Sequence, residues 1–124
     1  MIVQEIKKRV EANRETIVQF LRDIVAIPSM DGQLKDVGEC IQARMRNLGF
    51  DEARFDKMGN TVGRIGNGPK VIVFDSHIDT VGVGDPAEWD WDPFVGKVEN
   101  GALYARGACD EKGSTPGMVY GLAI

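Results

Sequence analysis

Ile6, Val10, Ile17, Phe20, Leu21, Ile24 and Val25 recur at spacings of mostly three, four or seven residues, the one-sided stripe of an amphipathic helix. Asn13 is where that stripe is open to interruption. Pro28 ends it, because the residue before a proline is pushed out of the α region, and Ser29-Met30-Asp31-Gly32 then reads as a loop. A second stripe, Val37, Ile41, Met45 and Leu48, runs up to Gly49, a residue suited to a left-handed helix cap. Its apolar face is expected to pack on a sheet.

From residue 50 the period shortens. Residues 53–55, 60–65 and 70–75 read as strands, separated by the turn signals Met58-Gly59 and Gly66-Asn67-Gly68-Pro69. Residues 94–98 and 103–105 flank Asn100-Gly101, a hairpin signal. Thr115-Pro116 opens a last helix with Met118, Val119, Leu122 and Ala123 on its apolar stripe. Ile124 follows with no cap, so the chain is expected to be cut within that helix. Helices followed by strands predict an α/β domain, and the lack of an internal repeat or low-complexity linker predicts one domain over residues 1–124.

One strand expectation bears on chemistry. Val71-Ile72-Val73-Phe74 is an unbroken apolar run, as in a strand buried on both faces. Polar residues at the carboxyl end of such a strand face the crevice where open α/β sheets bind ligands. Asp75-Ser76-His77-Ile78-Asp79-Thr80 therefore reads as the rim of a site, and His77 is the chain's single histidine.

Composition narrows the function. The 124 residues are 43% hydrophobic and 27% charged, and 15 basic against 19 acidic residues leave a net charge of −4. Interspersed charge of that sign is no footprint for nucleic acid or an anionic membrane. No stretch has the length of a membrane span, and the start lacks the layout of a signal peptide. Two cysteines, Cys40 and Cys109, make no disulfide scaffold, so a reducing cytoplasm is expected.

His77 and Asp79, two apart in extended backbone, point to the same side. A ligating imidazole usually donates its second ring proton to a carboxylate or carbonyl, a role open to Asp79 or Asp75. Downstream, Tyr104 to Ser114 carries a hairpin into a glycine-bounded turn, with Asp110 at the junction with the last helix. A carboxylate there can be held against helix amides and can bridge two cations. Plainer roles stand beside these. A lone histidine in a strand is often a hydrogen-bonded core residue, and Cys109 is read as a small buried thiol rather than a soft ligand. Cys40 is packing. Trp89 and Trp91 either line a cleft or cover a core edge, and Arg106 either grips a substrate carboxylate or makes a buried ion pair. Lys112-Gly113-Ser114 lacks the Gly-Lys-Ser/Thr order of a phosphate loop.

In order and spacing, Ser76-His77-Ile78-Asp79-Thr80-Val81, Trp91-Asp92-Pro93-Phe94 and Asn100 through Gly113 resemble the zinc-dependent exopeptidase family. That family includes aminoacylases, acetylornithine deacetylases, succinyl-diaminopimelate desuccinylases and glutamate carboxypeptidases. Val25-Ala26-Ile27-Pro28-Ser29 and Gly59-Asn60 are similar to its early landmarks, and Thr80-Val81-Gly82-Val83-Gly84 is nearest to its selenium-metabolism-linked hydrolase branch. The resemblance implies the N-terminal part of a three-layer α/β/α catalytic domain, incomplete at the C-terminus. It implies that His77 ligates one zinc ion, that Asp110 bridges a pair, and that Asp79 orients His77. Cobalt or manganese also suits a carboxylate-rich pair. The implied chemistry is attack on an amide carbonyl of a small acyl-amino-acid or peptide substrate by a hydroxide held between two metals. The general-base glutamate, further ligands and a dimer-forming domain would all lie beyond Ile124. On that basis the chain alone is expected to hold metal weakly and hydrolyse nothing, and homodimerisation belongs to the full-length protein. The contrasting expectation is a complete, non-catalytic α/β module that binds a partner through its last helix.

Overall fold

The computed structural model describes residues 1–124, and its elements are mixed helix and strand. The first amphipathic stripe divides at Asn13 into α1 (Ile2–Ala12) and α2 (Arg14–Val25). Asn13 leaves helical geometry (φ −101°, ψ 2°), and its amide side chain donates to the Arg9 carbonyl at 2.9 Å. Side-chain bonding of that kind competes with the helical ladder. The division separates two roles. No residue of α1 is buried, whereas α2 buries Phe20, Ile24 and Val25. Helix α2 stops three residues short of Pro28, consistent with the restriction a proline imposes upstream.

Helix α3 (Lys35–Asn47) buries Val37, Ile41 and Met45 and is followed by Gly49 at φ +83°. It lies on an antiparallel hairpin of β1 (Glu52–Phe55) and β2 (Thr61–Arg64), in register Glu52↔Arg64 to Phe55↔Thr61. The Asp56 carboxylate closes that hairpin, accepting from the amides of Met58 (2.8 Å) and Asn60 (2.9 Å) and from Asn60 Nδ2 (2.8 Å). A second hairpin pairs β3 (Lys97–Glu99) with β4 (Ala102–Tyr104) through Asn100-Gly101. Both turn residues have positive φ, +52° and +79°, the geometry that makes Asn-Gly a hairpin signal.

Helix α4 (Ser114–Ala123) completes the core. Its Val119 and Tyr120 join Phe20, Ile24, Val37, Ile41, Met45 and Phe50 in one cluster. The Phe20 and Tyr120 rings lie tilted at 6.2 Å, and Arg44 covers Phe20 at 5.0 Å while donating to Tyr120 Oη at 3.1 Å. The apolar face of α4 is thus largely used within the chain. No helix is long and apolar enough to cross a membrane.

The strand expected at residues 70–75 does not form, and this corrects the sequence reading. Val71, Ile72, Val73 and Phe74 are 82%, 80%, 80% and 57% exposed and join neither hairpin. An inner strand needs partners on both edges and cover on both faces. Here the two sheets are separate two-stranded hairpins, and the run pairs with neither. Residues 94–96 are also turn rather than strand, which shortens the second hairpin.

Candidate functional site

The site is built from two segments brought together by the loop after α2. Ser29, fully buried, donates from Oγ to the Ile78 carbonyl (2.7 Å), and its own carbonyl accepts from the Thr80 amide (2.9 Å). These bonds hold residues 78–80 against the end of α2. Ser76 Oγ meets Thr115 Oγ1 of α4 at 3.2 Å, fixing the other end of the stretch. Between these ties stands His77, its side chain 48% exposed. It is therefore a surface group, not a core histidine.

The second segment is the turn from Gly107 to Gly113. Gly107 has φ +78°, and a wound stretch, Ala108–Lys112, leads into α4. Asp110 and Glu111, joined by a cis peptide, depart from helical geometry and face the His77 segment. Asp110 Oδ1 lies 3.0 Å from His77 Nε2. Glu111 Oε1 accepts from the His77 backbone amide at 3.2 Å. On the far side of the ring, Nδ1 is 3.2 Å from the Asp79 carbonyl oxygen and 3.3 Å from Asp79 Oδ1.

His77, Asp79 and Asp110, each singled out in the sequence, thus meet in one place. Desolvation pushes the His77 pKa down, but the Asp79 carbonyl, the Asp110 carboxylate and the charges of Asp79 and Glu111 outweigh it, and the net shift is upward. Acceptors on both ring nitrogens favour the protonated form. Asp75 takes no part. The Asp110 carboxylate is 88% exposed and receives no amide of α4, contrary to the expectation that the helix start would hold it. An open depression of about 400 Å³ beside Asp79 is lined by Met30, Asp31, Thr80, Val81 and Gly82.

Two further readings are corrected. Arg106 makes no ion pair. Its guanidinium lies 5.2 Å from the Trp89 ring centroid, and its backbone amide donates to the Pro93 carbonyl at 2.7 Å. Cys109 is exposed rather than buried, because the turn faces outward at that point. Trp89 and Trp91 pack edge to face at 6.0 Å, and Trp91 meets Tyr104 at 5.8 Å, which draws the second hairpin against the tryptophan loop.

Lys112 has no counterpart in the sequence reading beyond service to the turn. It is 1% exposed, and Nζ donates to the carbonyls of Ile24 (2.8 Å) and Ile27 (2.7 Å). Burial lowers its pKa to about 8. No local pattern marks it, since its partners are backbone carbonyls more than eighty positions away.

As donors for a divalent cation, His77 Nε2 and the Asp110 carboxylate fit in kind, nitrogen and oxygen converging with the second ring nitrogen already held. They are two donors. No group of three His, Cys, Asp or Glu side chains in the chain is placed to hold a metal ion, while a closed zinc site takes about four ligands.

Residues 73–124 match "Peptidase family M20/M25/M40". The chain is 43% identical over 104 residues to "Uncharacterized protein YgeY" of Escherichia coli (strain K12), covering 84% of this chain and 26% of that protein. It is 36% identical over 107 residues to "Succinyl-diaminopimelate desuccinylase" of Beijerinckia indica subsp. indica, covering 81% of this chain and 28% of that one. The protein of the same name from Bordetella avium is 35% identical over 105 residues, covering 83% of this chain and 28% of its own length. The chain spans only 26% to 28% of the length of these curated relatives. The family match takes in His77, Asp79 and Asp110 together, and with relatives matched over most of its length the chain belongs to peptidase family M20/M25/M40.

Proposed function

We propose that the chain forms part of the catalytic domain of a metal-dependent hydrolase that cleaves carbon–nitrogen bonds of small acylated amino acids or peptides. The observation that carries this is the His77 ring, 3.0 Å from Asp110 on one nitrogen and held by Asp79 on the other. Asp79 keeps the proton on Nδ1, so the lone pair of Nε2 is directed outward toward a cation. His77 would hold one zinc ion, and Asp110, with its carboxylate free of other partners, would be available to hold that ion and a second. When bound, such a pair polarises the scissile carbonyl and activates water, and cobalt or manganese suits the same donors. Glu111, engaged with the His77 amide, steadies the segment rather than acting on substrate. The general base and the remaining ligands come from other parts of the protein.

The same reading assigns these residues to a three-layer α/β/α domain. Dimerisation and a cytoplasmic location belong to the intact protein. The name of two relatives, succinyl-diaminopimelate desuccinylase, points to N-acyl amino acids as the substrate class.

The test is made on the intact protein with N-succinyl and N-acetyl amino acids. His77→Ala and Asp110→Asn are expected to abolish turnover and reduce bound zinc with little change in melting temperature, since both side chains are substantially exposed. Retained turnover in either variant refutes the assignment.

A further inference from the structure

The Asp110 carboxylate has no partner except the ring it faces, and α4 gives it no amide. Its position must therefore come from the backbone of the turn. Within the turn, Lys112 donates its amide to the Gly107 carbonyl (2.8 Å), and Ser114 Oγ donates to the Glu111 carbonyl (2.8 Å). These bonds shape the turn but do not place it against the rest of the chain.

The Glu111 carboxylate on the His77 amide and the Ser76–Thr115 contact tie the turn to the His77 segment, and the Lys112 side chain places it against the core. Its ammonium crosses the core boundary to the carbonyls of Ile24 and Ile27, where α2 ends. Helix ends leave carbonyls short of partners and carry partial negative charge, and a buried ammonium requires acceptors. Each side thus satisfies the other. The segment that receives Lys112 also contains Ser29, which holds Ile78 and Thr80. The end of α2 accordingly grips both halves of the site.

We propose that Lys112 is a positioning residue: by tying the 107–113 turn to the carbonyls of Ile24 and Ile27, next to the Ser29 that holds the His77 segment, it sets the separation of Asp110 from His77. This rests on the metal-site reading above. Lys112 touches no reacting group. It acts through the turn, and the lost tie would be felt as a displaced Asp110.

The experiment uses the intact protein loaded with cobalt or zinc, comparing Lys112→Met with Val119→Ala, a core truncation remote from the turn. Metal affinity is measured by competition with a chromophoric chelator, ligand geometry by the visible spectrum of the cobalt form, and folding by thermal melting. Lys112→Met is expected to weaken affinity by about 10- to 100-fold, the usual effect of removing a group that orients a ligand, and to shift the cobalt spectrum. Val119→Ala is expected to lower the melting temperature with affinity and spectrum unchanged. If Lys112→Met resembles Val119→Ala, the lysine is a core anchor only and the proposal falls. Should Lys112→Met fail to fold, Ser29→Ala tests the other arm of the same anchor, and unchanged affinity and spectrum there overturn the proposal equally. His77→Ala in the same assay separates the two levels. Undiminished affinity in that variant defeats the metal-site reading itself, whereas its loss beside an unaffected Lys112→Met defeats only the positioning role.

Discussion

Gly107 begins the turn that presents Asp110, and replacing it with alanine perturbs the site through backbone strain and packing. Its φ of +78° is left-handed, and an added Cβ would overlap the Cγ2 methyl of Thr80, while Thr80 Cβ and Lys112 Cδ would stand at ordinary distances of 3.6 and 3.7 Å. Two costs result. Left-handed backbone costs a non-glycine residue roughly 1–2 kcal/mol. The overlap with a buried methyl adds about 1–3 kcal/mol, because Thr80 is 7% exposed and has little room to yield. Gly101 separates the two, having φ +79° with nothing within 4 Å of its would-be Cβ. Gly101→Ala should therefore cost about 1–2 kcal/mol and Gly107→Ala about 2–5 kcal/mol in urea unfolding. Thr80→Ser removes the offending methyl at about 0.8 kcal/mol on its own. Combined with Gly107→Ala it should recover most of the excess, giving a coupling of about 1–3 kcal/mol in the double-mutant cycle. Equal costs for Gly101→Ala and Gly107→Ala, or additive behaviour of the Gly107 and Thr80 changes, would refute the packing argument.

Three other outcomes are expected. Phe20→Ala should destabilise by about 3–5 kcal/mol in denaturant unfolding, since the ring is fully buried between Tyr120 and Arg44, and a loss under 1 kcal/mol would contradict the core assignment. Bonds from Asn60, side chain and then backbone, hold the Asp56 carboxyl below 3.8. A depressed carboxyl stabilises the hairpin above its unfolded value and loses that contribution as pH falls through the folded one, so amide exchange of residues 56–60 should quicken only below pH 3.8. An NMR titration midpoint for Asp56 at or above 3.8 overturns this. Of the two thiols, exposed Cys109 should react promptly with a disulfide reagent, while half-buried Cys40, whose pKa is raised by burial and then by Asp23, should react more slowly; Cys109→Ser abolishing the fast phase is the check.

Local chemistry was legible where its cause is local. The helical stripes, the break at Asn13 and the Asn-Gly hairpin depend on residues within one or two turns of each other, and they form where the pattern places them. The run Val71-Ile72-Val73-Phe74 fails as a strand for the opposite reason. Apolar continuity says that a segment would be buried if strands flanked it, but it contains no partner, and in this chain the run stays exposed. Arg106 and Cys109 show the same limit on a smaller scale. Guanidinium chemistry permits an acid or an aromatic ring, and Trp89 is the partner the loop brings within reach.

The candidate site combines both kinds of information. Motif and spacing name His77, Asp79 and Asp110, and the i, i+2 relation of the first two follows from extended backbone alone. The approach of Asp110 across the intervening chain follows from no such rule. It depends on Ser29 and Lys112, which bond to backbone atoms and so have no partner side chain to leave a trace in the sequence. Residues of this kind are found by asking why a polar group is buried. A lysine 1% exposed must have its ammonium satisfied, and tracing where that bond goes leads from the turn of Asp110 to the end of α2 and, through Ser29, back to His77. The chemistry of the site is written in its exposed groups, and its geometry in the buried ones that never touch a substrate.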